Sequence, residues 1–140
     1  MDDPQSPTEW ERMAWNELAA AETLAKGRHW QQAFYHAGVA VEFALKCRIM
    51  RVQRLNRWPE RGERKELHTH ALGELVKHTD LISMLLLEVA GQTPIGVAWL
   101  AVKDWSINVR YDPKPFPPRQ AADMVEAVGQ RGLLEWVMKP

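Results

Sequence analysis

From Trp30 to the Trp58-Pro59 pair the sequence holds neither a proline nor a glycine pair, and Ala33, Phe34, Ala37, Val41, Ala44, Leu45 and Arg48 recur at intervals of three and four. That spacing puts them on one face of a helix, so the chain is expected to fold around one long central helix. Small side chains alternate with large ones on that face. A neighbour can come close at Ala33, Ala37, Gly38 and Ala40 and interlock with Phe34, Val41 and Leu45. Gly38 costs about 1 kcal/mol relative to alanine inside a helix, which calls for a packing reason.

The flanking segments carry start and stop signals of the same kind. Ser6-Pro7-Thr8-Glu9 reads as a cap, a first-turn proline and the second half of a capping box. Trp10, Ala14, Leu18, Ala21 and Ala25 then share a face, and Gly27 is the stop. Residues 56–67 hold seven charged side chains, a proline and a glycine, and read as a solvated, flexible loop. A third helical stretch is expected from His68-Thr69-His70 through Leu75, broken at His78-Thr79 before Asp80 to Ala90. Thr93-Pro94 opens a helix predicted to run to about Val109 through Val97, Leu100, Ala101 and Trp105. Four prolines among residues 112–118 bar a helix there. A last helix is expected from about 119, with Ala122, Val125, Val128 and Leu134 inward and Gly129 and Gly132 weakening its middle. No period-two alternation or hairpin signal occurs. The expectation is an all-α, up-and-down bundle of four to five helices forming one domain over residues 1–140.

With 18 basic and 18 acidic residues, no global field draws the chain towards nucleic acid or a membrane, so any basic site is local. The acidic start Met1-Asp2-Asp3 lacks the apolar run of a secretory signal, and the Met84 to Ala90 cluster is too short to span a bilayer. A lone Cys47 fits a buried thiol in a reducing compartment. A prokaryotic cytoplasm is the expected location.

Three segments then carry a resemblance. Ala33-Phe34-Tyr35-His36-Ala37-Gly38-Val39-Ala40-Val41-Glu42-Phe43-Ala44-Leu45-Lys46, Thr69-His70-Ala71-Leu72 and Arg110-Tyr111-Asp112-Pro113 resemble, in order, three motifs of the HEPN domain, the helical module named for higher eukaryotes and prokaryotes nucleotide-binding. They are spaced alanines ending in Glu-x-x-Leu-Lys, a Thr-His-x-Leu helix opening, and Arg-Tyr-Pro, here with Asp112 inserted. The resemblance implies a HEPN-like bundle that dimerises. It also implies either a ribonuclease, often a toxin with an antitoxin, or a partner of a minimal nucleotidyltransferase. Nuclease members place a histidine after the arginine with four to six residues between them, where it serves as acid or base. No histidine follows His78 here. The leading expectation is therefore a non-catalytic module engaging a nucleotide, RNA or a partner protein. The alternatives are a ribonuclease toxin using Arg110 with His70 or Asp112, and a plain helical scaffold.

The candidate binding residues are Arg110, Tyr111, Glu42, Lys46, Arg48, Arg51, Arg54 and His70. Glu42 and Lys46, four apart, read either as a solvated or half-buried bridge of a few tenths of a kcal/mol or as a cleft pair. Arg48, Arg51, Arg54, Arg57, Arg61 and Arg64 form a basic band, either for phosphate or only for the helix C-terminus. Tyr35 and His36 offer stacking surface. On a helix His68 and His70 would diverge, so a metal site is not expected, nor is a cofactor. The seven tryptophans are read as core and interface, which favours a homodimer.

Overall fold

The computed structural model describes residues 4–140; Met1-Asp2-Asp3, on which the reading of the N-terminus relied, lies outside them. Among the described residues the secondary structure is helical throughout: α1 (Pro7–Lys26), α2 (Trp30–Gln53), α3 (Leu72–Leu75), α4 (Ile82–Ala90), α5 (Pro94–Val102), α6 (Pro118–Val128) and α7 (Leu133–Met138), with short 3-10 turns between them. The expected all-α architecture is present, in five helices of nine or more residues and two shorter ones.

The two caps read from the sequence are in place. Ser6 Oγ accepts the Glu9 amide at 3.1 Å, and Thr93 Oγ1 accepts the Gly96 amide at 3.1 Å, each beside a first-turn proline. The Glu9 carboxylate reaches back one residue further than a capping box, to the Gln5 amide. α2 stops without glycine or proline: Arg54 turns left-handed (φ 54°) and the Leu55 amide bonds the Met50 carbonyl.

α2 is the central element and packs against α1, α3, α6 and α7. Ala33, Ala37, Ala40 and Ala44 are fully buried along it. The packing reason for Gly38 is Trp105: a Cβ at Gly38 would fall 2.1 Å from the indole ring.

That contact also explains why α5 ends at Val102 rather than near Val109. The chain turns at Lys103-Asp104 and swings Trp105 onto α2, and Ser106 then caps a 3-10 segment, Ile107–Tyr111. Three further expectations are corrected. His68-Thr69-His70 is not helical, because Thr69 Oγ1 takes the Ala71 amide and helix starts only at Leu72. The last helix is divided at Gly132 (φ 83°) into α6 and α7. On α6 it is Ala121, Met124, Ala127 and Val128 that are buried, while Ala122 is exposed, since Met124 is the large side chain that seeks the core.

Cys47 is fully buried, and burial first of all pushes its thiol up to about 11, against the pull of Arg51. Between pH 9 and 11 the unfolded chain loses this proton while the folded one keeps it. Stability therefore falls as pH rises through that window. Thermal melts should show this decline, and Cys47→Ala should lack that share of it.

Candidate functional site

One stripe of α2, Gln31, Tyr35, Gly38, Glu42 and Lys46, lies at helical spacing and carries two polar clusters. At its first turns Gln31 Nε2 donates to the carbonyls of Val109 (2.7 Å) and Asp112 (2.8 Å), pinning the Arg110-Tyr111-Asp112 junction to the helix. Arg110 donates to the Tyr35 hydroxyl (3.1 Å) and lies over the rings of Tyr35 and Tyr111, 5.5 and 4.7 Å from their centres. The Tyr111 bond raises the pKa of this exposed guanidinium further. His36, edge-on to Tyr35, bonds Glu17 of α1 at 2.5 Å. Asp112 spends its carboxylate on the Lys114 amide.

Two turns on, about 10.5 Å along the axis, is the second cluster. Glu42 is 2% and Lys46 7% exposed, and their ion pair is 2.9 Å long. The bridge read from sequence as solvated or half-buried is buried. His70 Nδ1 sits 3.0 Å from both Glu42 oxygens. Lys46 Nζ also lies over the faces of Trp10 and Trp58, 5.3 and 5.6 Å from their centres. Removing charges from water costs several kcal/mol each unless they are fully partnered, and here a carboxylate and two aromatic quadrupoles surround one ammonium.

Lys46, Trp10 and Trp58 belong to a pocket of about 500 Å³ completed by Arg61, Gly62, Lys65, His68, Thr69 and His70. The loop 54–67 builds one wall. It is more ordered in its bonding than a solvated loop: Trp58 and Pro59 are buried, and Glu63 closes a turn by accepting from the Glu60 amide and Arg57. Those bonds, the Glu60 amide first, hold the Glu63 carboxyl below its ordinary range. His68 bonds the Glu60 carbonyl and meets Trp58 edge-on. Because residues 68–70 are not helical, His68 and His70 line the same pocket instead of diverging. No group of three metal-ligating side chains occurs among the described residues.

The pocket wall is one-sided in charge. Arg61 and Lys65 have no ion pair among the described residues, whereas Arg57 and Arg64 are paired with Glu63 and Glu66. Trp10 Nε1 is buried without an acceptor.

The other arginines of the band are spent on the fold. Arg48 grips Asp80 with two bonds (2.9 and 3.0 Å), keeping that carboxyl below its ordinary range, and donates to the Lys139 carbonyl. Arg51 donates to the Met138 carbonyl and pairs with Glu11. Arg54, exposed, is the left-handed stop of α2. Within one chain, His70 and Arg110 attach to α2 two turns apart, and Arg110 is not among the residues lining the pocket.

No protein-family model, curated protein or solved structure matches this chain.

Proposed function

We propose that this protein is a non-catalytic, HEPN-like binding module whose pocket between α1, α2 and the 54–70 connection takes a phosphate-bearing ligand, a nucleotide or RNA. One observation carries the reading: a buried lysine floors a pocket whose remaining charged lining, Arg61, Lys65, His68 and His70, is basic or imidazole. A desolvated cation such as Lys46 interacts with phosphate more strongly than a surface one, and the exposed Arg61 and Lys65 add positive charge at the pocket. The three-motif resemblance supports the same reading, since Lys46 and His70 fall inside its first two motifs.

The test is calorimetry with adenine nucleotides and a short RNA at low salt. Binding should weaken about tenfold or more in Arg61→Ala/Lys65→Ala, whose side chains are exposed and make no ion pair among the described residues, and should fall steeply with added salt. RNA cleavage abolished by Arg110→Ala would instead favour a ribonuclease toxin, and no ligand at all a plain scaffold.

The module is proposed to act as a homodimer through α4 and α5. Between Asp80 and Lys103 the only charge is Glu88, whose carboxylate is turned back to Thr93 Oγ1. Leu86 and Leu87 stand 65% and 74% exposed beside a groove of about 360 Å³ lined by Val76, Leu85, Trp99 and Leu100. The groove's charged lining is Lys77 and the Lys103–Asp104 pair (3.2 Å), which leaves its apolar centre to meet the same patch of a second copy across a two-fold axis. Of the tryptophans, Trp10, Trp58, Trp99 and Trp105 are buried in the core, and Trp99 also lines this groove. Leu87→Asp should shift the protein to a monomer in analytical ultracentrifugation without changing its helicity. A wild-type monomer at high concentration would overturn the dimer, and an antitoxin or nucleotidyltransferase would then be the better occupant of this face.

A further inference from the structure

We infer that the pocket recognises a phosphate monoester, the dianionic end of a nucleotide or of a nucleic-acid strand, in preference to an internal phosphodiester. This rests on the reading of the pocket as a phosphate site and adds the class of phosphate.

Charge is the first argument. Among the described residues Glu42 is the only acidic side chain in contact with Lys46 and His70, and its one charge is matched by the Lys46 ammonium while the His70 ring bonds the same carboxylate. Arg61 and Lys65 remain, with no anionic partner among the described residues. Two unpaired positive charges match a monoester, which carries about two negative charges near neutral pH. A diester carries one and would leave a cation uncompensated.

Access is the second argument. Lys46 is 7% exposed and roofed by two indoles, so its ammonium is reached by a group that enters the pocket rather than by a strand passing over it. A terminal phosphate enters with a single chain behind it. An internal diester would have to bring two.

The third argument is the orphan donor. A buried N–H without an acceptor costs about 1–3 kcal/mol, and Trp10 Nε1 is such a group on a residue that lines the pocket. The atom is closed off from the pocket in this state, so a phosphoryl oxygen satisfies it only as the Trp10 ring shifts on binding. The indole faces themselves are not free for a base, since Lys46 lies over both and Trp58 meets Trp10 edge to face at 5.3 Å. The phosphate end belongs inside and the base outside.

Four probes separate the possibilities in calorimetry with the whole protein: AMP against cyclic AMP, and a 5′-phosphorylated RNA oligomer against the same oligomer with a 5′-hydroxyl. Each monoester should bind about tenfold or more tighter than its diester or hydroxyl counterpart, and Arg61→Ala/Lys65→Ala should erase that difference while circular dichroism stays unchanged. In proton–nitrogen spectra the Trp10 indole resonance should move with AMP and stay in place with cyclic AMP. Preference confined to AMP would assign the ligand to free nucleotides, and preference confined to the oligomer would assign it to strand ends; either supports the proposal. Equal affinity within both pairs, still weakened by the double substitution, would overturn the monoester assignment and leave the phosphate site standing. Binding untouched by the double substitution, or a Trp10 resonance that ignores bound AMP, would overturn both.

Discussion

Replacing Glu42 with leucine is expected to cost the fold about 3–5 kcal/mol, because it leaves the Lys46 ammonium buried with no carboxylate. The two tryptophan faces recover only part of that, at about 1–2 kcal/mol for a desolvated cation on an aromatic ring. The loss would be a large share of a total stability of about 5–15 kcal/mol. Glu42→Leu/Lys46→Met should recover most of it, since two apolar side chains of similar volume pack in the same space without desolvating anything. Urea unfolding at pH 7 measures both. A single variant within about 1 kcal/mol of wild type would mean that Lys46 escapes to water or sheds its proton. The pair is thus a poor device for stability, and its place in the core fits the proposed anion-binding pocket. The double variant is expected to fold and to lose binding of the proposed phosphate ligand.

What was legible in the sequence was local. Ser6, Thr93 and the prolines after them act through bonds to amides three residues on, so helix starts could be read from a few neighbouring letters. Gly38 announced a close contact in the same way, though not with what. The end of α5 was not legible: Trp105 and Val109 continue the helical spacing from Leu100 and Ala101, and nothing nearby marks a break. The turn at Lys103-Asp104 forms because a buried indole on Gly38 gains more than another turn of helix would, and that gain belongs to residues far apart in sequence.

The site divides along the same line. Lys46 and His70 fall in short motifs and Arg61 in the basic band read as a possible phosphate patch, whereas Trp10, Trp58, Lys65 and His68 reach the pocket only through the return of the 54–67 connection onto α1. Seven charges made that connection read as solvated. The signal against it was Trp58-Pro59, a large apolar pair inside a charged run. Arg48 and Arg51 misled in the opposite sense, since a basic band reads alike whether its partners are phosphates or the carbonyls of Met138 and Lys139.

Two glycines carry the other large expected effect, and a third provides the control. Alanine normally gains about 1 kcal/mol over glycine inside a helix. At Gly96 the added Cβ would lie 2.2 Å from the Glu88 carbonyl oxygen and 2.4 Å from its carbon, so α4 and α5, which meet at 110°, would have to separate as backbones. At Gly38 the obstacle is the Trp105 ring, which can tilt but is buried between α2 and its own turn. At Gly73, on α3, nothing lies within 4 Å. Gly96→Ala should therefore cost about 3 kcal/mol and Gly38→Ala about 2 kcal/mol, while Gly73→Ala should be neutral or stabilising. Thermal melts of the three variants give the order directly. Gly38→Ala carries a second readout, because the displaced Trp105 lies 6.2 Å from the Tyr35 ring on which Arg110 stacks. Its Arg110 cluster should loosen, with the Tyr35 and Tyr111 ring resonances moving, while the proposed phosphate pocket two turns along α2 keeps its affinity. Equal costs at Gly38 and Gly73 would mean that Trp105 does not rest on α2, and the account of why α5 ends at Val102 would fall with it.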